Sequence, residues 1–269
     1  MLTVSSNVRS SPGEDAAEAG ASARPPRPGV RHPVTDDRRV GAVLFDLDGT
    51  LYRQRPMRAL MALELATLAL RSPLQAPVTW RVLSEFRRAQ EALRGQATER
   101  GAAIEQLQLT ARRTGLPVDQ VETLVAEWMI ERPLKYMPRC RAEGLQRLLD
   151  FLCRRGIRVG VFSDYPPELK LKALGIAGRF SVLVCSADPD VGVFKPHPRG
   201  FLVAAARWQI DPSEILVVGD RPEVDAAGAR AAGMPCVIVG GHHDGRSHDF
   251  VSLDSLERLR DVLDDDHGR

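Results

Sequence analysis

The chain has 269 residues, 43% of them hydrophobic, and a formal net charge of +2. This length and composition allow one sizeable core, arranged as one domain with an insertion, and the small charge gives no reason to expect a nucleic-acid partner. Four cysteines without a CxxC spacing argue against a zinc site and suit a reducing, cytoplasmic location. No apolar run reaches the roughly 20 residues of a membrane span, so no membrane partner is expected.

The N-terminal segment, residues 1–39, is rich in small and charged residues and in proline, and shows no sustained apolar period. Such a composition predicts a disordered tail. A short apolar, β-prone run follows it and predicts the first strand over Val40–Phe45.

Two carboxylates, Asp46 and Asp48, follow this strand directly, and the chain then turns at Gly49. At the carboxyl end of a strand both side chains can project into the crevice where open α/β sheets bind ligands. Two close carboxylates repel each other unless a cation or a proton relieves them. Magnesium prefers oxygen ligands, so the pair indicates an Mg²⁺ site.

Residues 53–136 change to a helical pattern. Val82, Phe86, Ala89 and Leu93, for example, recur at intervals of three and four residues. The pattern predicts about four amphipathic helices packed together. Because they follow the first strand, they would form a cap beside the carboxyl edge of the sheet, where a lid would lie.

Strands and helices alternate over residues 137–263, and residues 264–269 are predicted to fray. Together with residues 40–52 this region predicts an α/β core with a doubly wound, Rossmann-like parallel sheet and the helical cap as an insertion. The last helix is predicted over Ser255–Leu263. The remaining strands are predicted over Ile157–Phe162, Val182–Cys185, Ile215–Val218 and Cys236–Val239.

Polar side chains also follow the second, third and fourth predicted strands. In a parallel sheet all these strand ends lie at one edge, so their side chains should converge with the two carboxylates of the first strand. The candidate site residues are Asp46, Asp48, Ser163, Lys195, Asp220 and Asp225.

These four motifs occur in the order found in the haloacid dehalogenase-like hydrolases, and the chain resembles the members with a helical cap after the first motif, over about residues 41–263. The resemblance implies that Asp46 is a nucleophile that forms an aspartyl-phosphate. It implies that Asp48 protonates the leaving oxygen and then activates water. That role predicts a raised pKa for Asp48, sustained by Asp46 and Asp220.

The resemblance also implies how the remaining residues act. Mg²⁺ would bind to side-chain oxygens of Asp46 and Asp220 and to the backbone carbonyl of Asp48. Asp225 would lie in or near the layer of residues just behind these ligands. Two residues would bind the phosphate. Ser163 would donate a hydrogen bond to a phosphoryl oxygen, and Lys195 would neutralise charge on the transferred group.

The chain departs from the family pattern at Asp164, where relatives often carry asparagine. A carboxylate beside a bound phosphate would repel it, so we expect Asp164 to point away, toward a helix N-terminus or the cap. Asp48 favours phosphoryl transfer over carbon–halogen cleavage, because a halide leaves without a proton. No lysine occurs over residues 53–134, which disfavours the Schiff-base chemistry of phosphonate cleavage.

The sequence therefore predicts a cytoplasmic, magnesium-dependent phosphatase that acts on a small phosphorylated metabolite, a phosphate monoester. A phosphomutase of the same fold is the nearest alternative, since it shares the core motifs. A non-catalytic scaffold or binding member is the alternative from a different class.

Overall fold

A computed structural model describes residues 40–240 and 250–264. The predicted disordered tail, residues 1–39, lies outside the described residues, as do residues 265–269 of the predicted frayed end. Within the described ranges no helix combines the length and the apolar composition that crossing a membrane requires. All four cysteines are free thiols.

Within the described residues, six parallel strands form one sheet in the order β3-β2-β1-β4-β5-β6. The chain starts in the middle of the sheet and extends it first to one side and then to the other, which confirms the predicted doubly wound α/β fold. The strands are β1 (Ala42–Phe45), β2 (Arg158–Ser163), β3 (Val182–Cys185), β4 (Ile215–Gly219), β5 (Cys236–Val239) and β6 (Val251–Leu253).

The α-helices of the described chain fall into two groups. Those that follow β1 are α1 (Gln54–Arg71), α2 (Gln75–Leu93), α3 (Ala102–Thr114), α4 (Val118–Val125), α5 (Arg132–Leu134) and α6 (Met137–Cys140). Those that alternate with the later strands are α7 (Leu145–Arg154), α8 (Glu168–Ala173), α9 (Arg199–Trp208), α10 (Ala227–Ala231) and α11 (Leu259–Asp264).

Several predicted elements differ in detail from the structure: β1 begins two residues later than predicted, and β2 and β4 each end one residue later. The helix predicted over Ser255–Leu263 is a 3₁₀ turn, Leu256–Arg258, followed by α11. Asp264, predicted to fray, is the last residue of α11. Strand β6 was not predicted, because three residues are too few to show an alternation of polar and apolar side chains.

Strand β1 shows why this sheet has no polar face. All four of its side chains are buried. Val43 and Phe45 join one apolar cluster, and Ala42 and Leu44 join the cluster on the opposite side. A parallel sheet covered by helices on both faces selects such uninterrupted apolar runs. In β1 and β4 the first polar side chains therefore come directly after the strands, at Asp46 and Asp220.

The segment predicted as a cap, residues 53–136, is largely helical and has an apolar cluster of its own. Val82 and Phe86 from α2 pack there with Ala111 from α3 and with Val121 and Val125 from α4. The periodic apolar positions of α2 are thus used within the segment, as an amphipathic helix requires. We call residues 53–136 the cap segment below.

Candidate active site

Asp46 and Asp220 follow neighbouring strands at the carboxyl edge of the sheet. Phe45 on β1 is in register with Val218 on β4, and the backbone N–H of Asp46 donates to the carbonyl of Val218 at 2.8 Å. The order of the strands reverses at this pair, the point at which open α/β sheets bind their ligands.

Two glycines allow the carboxylates of Asp220 and Asp225 to lie against the backbone. Gly49 has a φ of 111°, and a Cβ added to it would stand 2.0 Å from Oδ2 of Asp220. A Cβ added to Gly219 would stand 2.4 Å from Oδ2 of Asp225. Real Cβ atoms do not approach other atoms this closely, so both positions require glycine.

Lys195 lies between two of the carboxylates and is almost fully buried. Its Nζ donates to Oδ1 of Asp46 at 2.5 Å and to Oδ1 of Asp225 at 2.7 Å. The other oxygen of Asp225 accepts the backbone N–H groups of Asp220 at 3.3 Å and Arg221 at 3.2 Å. Asp225 therefore fixes both the lysine and the turn that carries Asp220.

The carboxylates of Asp46, Asp220 and Asp225 contribute oxygens that all lie within 4.8 Å of one another. We call these three residues the carboxylate cluster. Three carboxylates face one ammonium, Lys195, so the cluster holds an excess of negative charge in a buried place. An all-oxygen donor set with excess negative charge fits Mg²⁺, and the approach of Asp220 over Gly49 keeps the set close together.

The closeness of the three carboxylates also shifts the pKa values of the cluster. Burial raises the pKa of Asp46 well above its ordinary value; Lys195 opposes this shift, and the carboxylates of Asp225 and Asp220 add to it. Burial, followed by the charge of Asp225, raises the pKa of Asp220 to about 6. A bound cation would stabilise the ionised forms of both groups.

The Asp48 side chain lies in different surroundings. Its Oδ1 accepts a hydrogen bond from Nζ of Lys170 at 2.6 Å and another from the hydroxyl of Tyr52. Burial opposes ionisation here, but the Lys170 ammonium and the hydrogen bonds from Lys170 and Tyr52 outweigh it, so the pKa of Asp48 lies below its ordinary value. The expectation of a raised pKa, sustained by Asp46 and Asp220, is therefore wrong for this arrangement, because the nearest charge is a cation.

The backbone carbonyl of Asp48, predicted as a magnesium ligand, accepts a hydrogen bond from Nε2 of Gln54 at 3.1 Å. A carbonyl oxygen has two lone pairs, so this bond leaves one of them for a metal. The predicted role of this carbonyl stays a prediction.

Ser163 is the last residue of β2 and is buried. Its Oγ accepts the backbone N–H of Tyr165 at 3.3 Å. A hydroxyl that accepts one hydrogen bond keeps its own proton for donation, as the predicted contact with a phosphoryl oxygen requires.

Asp164 points toward the cap segment, one of the two directions expected for it. Its Oδ2 accepts hydrogen bonds from Gln90 and Arg94, both at 2.9 Å. Its Oδ1 accepts from the hydroxyl of Ser186 at 2.9 Å and from the backbone N–H of Lys195 at 3.3 Å. The carboxylate therefore joins the cap segment to two loops of the core.

Sequence reasoning missed four side chains of this region, and their signals were weak. The chain contains only four lysines beside many arginines. This rarity could have drawn attention to Lys170. The missed residues are Tyr52, Lys170, Gln90 and Arg94.

Comparison with known proteins gives the same family as the motifs. A family model described as haloacid dehalogenase-like hydrolase matches residues 40–233. A phosphoglycolate phosphatase from Shigella boydii serotype 4 (strain Sb227) is 31% identical over 239 residues, which cover 83% of this chain and 91% of that protein.

Two further matches extend over most of the chain. A glyceraldehyde 3-phosphate phosphatase from Methanopyrus kandleri is 30% identical over 237 residues, covering 84% of this chain and 96% of that protein. The crystal structure of a HAD phosphatase from Thermococcus onnurineus superimposes with a TM-score of 0.56 at 25% identity, covering 82% of this chain and 97% of that one.

Proposed function

The chain belongs to the haloacid dehalogenase-like hydrolases and acts on phosphate monoesters, and we propose that it is a magnesium-dependent phosphatase that releases phosphate from a small metabolite through an aspartyl-phosphate on Asp46. The observation that carries this proposal is the carboxylate cluster around Lys195 at the ends of β1 and β4. It supports the proposal because a carboxylate that could act as nucleophile, a fixed cation and an oxygen donor set lie close together in a largely buried place.

Asp46 is suited to attack phosphorus because both of its oxygens are oriented. Lys195 holds Oδ1, and the hydroxyl of Thr50 donates to Oδ2 at 3.2 Å. In the first step an oxygen of Asp46 bonds to phosphorus as the bond to the leaving oxygen breaks. The ammonium of Lys195 lies beside the charge that is transferred, where electrostatic stabilisation contributes most.

Magnesium would be held by the side chains of Asp46 and Asp220 and the carbonyl of Asp48, and when bound it supplies positive charge beside the transferred phosphoryl group. Ser163 would bind a phosphoryl oxygen through its hydroxyl. Because the pKa of Asp48 is lowered by its partners, this group would take up a proton only when the negatively charged ester binds beside it; it would then give that proton to the leaving oxygen and later take one from the attacking water.

The proposed substrate class rests on the relatives. Both curated relatives described above carry names of phosphatases of small phosphorylated metabolites. We therefore propose a small phosphate monoester as the substrate and the cytoplasm, where free thiols persist, as the location. Phosphoglycolate and glyceraldehyde 3-phosphate head the panel of esters to test.

The test measures phosphate release with Mg²⁺ by the wild-type protein, by Asp46→Asn and by Asp190→Asn. Asp46→Asn should reduce turnover by at least about a thousandfold, because an amide oxygen is a poor nucleophile. Asp190, an exposed acid paired with Arg207, serves as the matched control and should leave turnover unchanged. Equal turnover by Asp46→Asn and the wild type would overturn the nucleophile, and phosphate moved within the substrate without release would indicate a mutase instead.

A further inference from the structure

We propose that Lys170 and Tyr52 are positioning residues, which hold Asp48 by its Oδ1 and so reserve its Oδ2 for proton transfer to and from the substrate. This inference rests on the proposed function, since it concerns how the acid and base of that reaction is oriented. Neither residue belongs to the motifs on which the family resemblance depends.

Two donors from different parts of the chain converge on one atom. Lys170 Nζ on α8 lies 2.6 Å from Oδ1 of Asp48, and the Tyr52 hydroxyl donates to the same oxygen from the turn after β1. The Lys170 ammonium also lies 5.9 Å from the centre of the Tyr52 ring. Within the described residues, both hydrogen bonds to this carboxylate end on Oδ1, so the other oxygen is the one left for a proton.

Burial shows that this arrangement is not a surface ion pair. Lys170 is 6% exposed and Tyr52 is 5% exposed. A buried ammonium costs several kcal/mol in desolvation unless it is paired, and the acid bound to this one is Asp48. Lys172, two residues further along α8, is exposed, so the helix carries one lysine inward and one outward.

The turn that carries Tyr52 is itself fixed to the core. Tyr52 forms backbone bridges to both Asp48 and Arg141, and the N–H of Arg53 donates to the carbonyl of Cys140 at 2.8 Å. Helix α8 packs against α5 and α6. The two donors are therefore held by separate elements, which together define where the Asp48 carboxylate can point.

The reaction requires one oxygen of Asp48 at a constant position. In the first step the bond from Asp46 to phosphorus forms, the bond to the leaving oxygen breaks, and the proton on Oδ2 passes to that oxygen. In the second step the oxygen of water bonds to phosphorus, the bond to Asp46 breaks, and a proton of the water returns to Oδ2. Throughout both steps Oδ1 keeps its two donors.

The test compares two esters that differ in how much their leaving oxygen needs a proton. A nitrophenyl phosphate has a leaving group that departs as an anion, whereas a simple alkyl phosphate must be protonated as it leaves. In Lys170→Met and Tyr52→Phe, kcat/KM for the alkyl ester should fall at least about tenfold further than kcat/KM for the nitrophenyl ester, since misplacing an acid by about 1 Å costs up to about a hundredfold.

Controls separate positioning from a structural role. Lys172→Met should change neither ester, and Lys170→Arg, which keeps the charge, should recover part of the loss. Equal losses on both esters, or no loss, would overturn the inference while the turnover of the wild type keeps the proposed function intact. If the wild type released phosphate from no ester, the proposed function would fail and this inference with it. Thermal melting shows which variants fold, and Tyr52→Phe carries the test if Lys170→Met does not.

Discussion

Asp46 and Asp48 stand two residues apart in the chain but lie in opposite electrostatic surroundings. Asp46 shares its place with two other carboxylates and a single ammonium, Lys195. Asp48 accepts hydrogen bonds from an ammonium, Lys170, and from a phenol, Tyr52, and the charge of Lys195 acts on it more weakly. The first group carries more negative than positive charge, and the second is balanced.

This difference is what the proposed division of roles between Asp46 and Asp48 rests on. A place with uncompensated negative charge favours a cation, and burial with crowding raises the pKa values of Asp46 and Asp220 there. A balanced place has no need of a further ion, and the pKa of Asp48 is lowered by its partners against the effect of burial. Under the proposed function, one short motif would therefore supply both a metal ligand, Asp46, and a separate proton-transfer group, Asp48.

The largest expected effect that tests this division comes from Asp220→Asn. Removing one carboxylate of the cluster should weaken Mg²⁺ binding by more than about a hundredfold, with a similar loss of turnover at a fixed Mg²⁺ concentration. The rise in melting temperature that Mg²⁺ gives the wild type measures binding without reference to turnover.

Two variants sharpen that measurement. Glu223→Gln removes an exposed carboxylate near Asp220, bound to Arg221, and should keep the response to Mg²⁺. Asp48→Asn should also keep most of it, because the Asp48 side chain lies outside the cluster. If Asp48→Asn lost the response as completely as Asp220→Asn, the two surroundings would not be separate.

The pH dependence of stability gives a second test, made without metal. Asp220 has a pKa of about 6 in the folded protein, above its ordinary value of 3.8. A raised folded pKa contributes stability below the unfolded value, and that contribution is lost as the pH rises through about 6. With EDTA present, the melting temperature of the wild type relative to Asp220→Asn should therefore fall as the pH rises from 3.8 to about 6, the range in which the folded state binds more protons than the unfolded state.

Asp48 should give the opposite sign, because its folded pKa is lowered. Its contribution is present above the unfolded value of 3.8 and is lost as the pH falls through the folded value. The wild type should thus exceed Asp48→Asn in melting temperature at neutral pH, and the difference should shrink in acid. Parallel pH profiles for the two pairs of proteins would contradict the comparison.

The positions of Asp46 and Asp220 relative to each other could be predicted from the sequence, because strand ends in a parallel sheet must share an edge. Uninterrupted apolar runs before each polar residue identified β1 and β4. The predicted alternation of strands and helices was sufficient for the fold class. The catalytic, metal-binding and phosphate-binding roles of all the candidate residues remain predictions.

The partners of Asp48 and Asp164 could not be predicted, since they depend on how helices dock rather than on where strands end. Lys170 lies within a helix whose period shows only that one face is buried, and nothing local indicates which strand end it meets. Gln90 and Arg94 reach Asp164 because α2 ends over the loop after β2. The rarity of lysine was the one available signal: of four lysines, Lys170 and Lys195 are buried, and a compact ammonium fits beside a carboxylate where a planar guanidinium needs more room.

Asp164 offers the smallest expected effect and extends the comparison to a third carboxylate. It is bound on Oδ2 by Arg94 and Gln90 of the cap segment, and the ion pair with Arg94 is mostly buried, with side chains 13% and 10% exposed. Asp164→Asn keeps the shape and removes the charge, so unfolding in urea should show a loss of about 1–3 kcal/mol. Turnover should change less than it does in Asp220→Asn, because Asp164 is not one of the three residues of the carboxylate cluster.

A matched ion pair on the surface tests whether burial is the reason for the loss of stability in Asp164→Asn. Asp190→Asn breaks the pair with Arg207, whose side chains are 35% and 53% exposed, and should cost no more than about 1 kcal/mol. Hydrogen exchange adds a local readout: in Asp164→Asn the amides of α2 should exchange faster, since two side chains of that helix region lose a charged acceptor. If both substitutions lowered the free energy of unfolding equally and hydrogen exchange in α2 were unchanged, Asp164 would not hold the cap segment to the core.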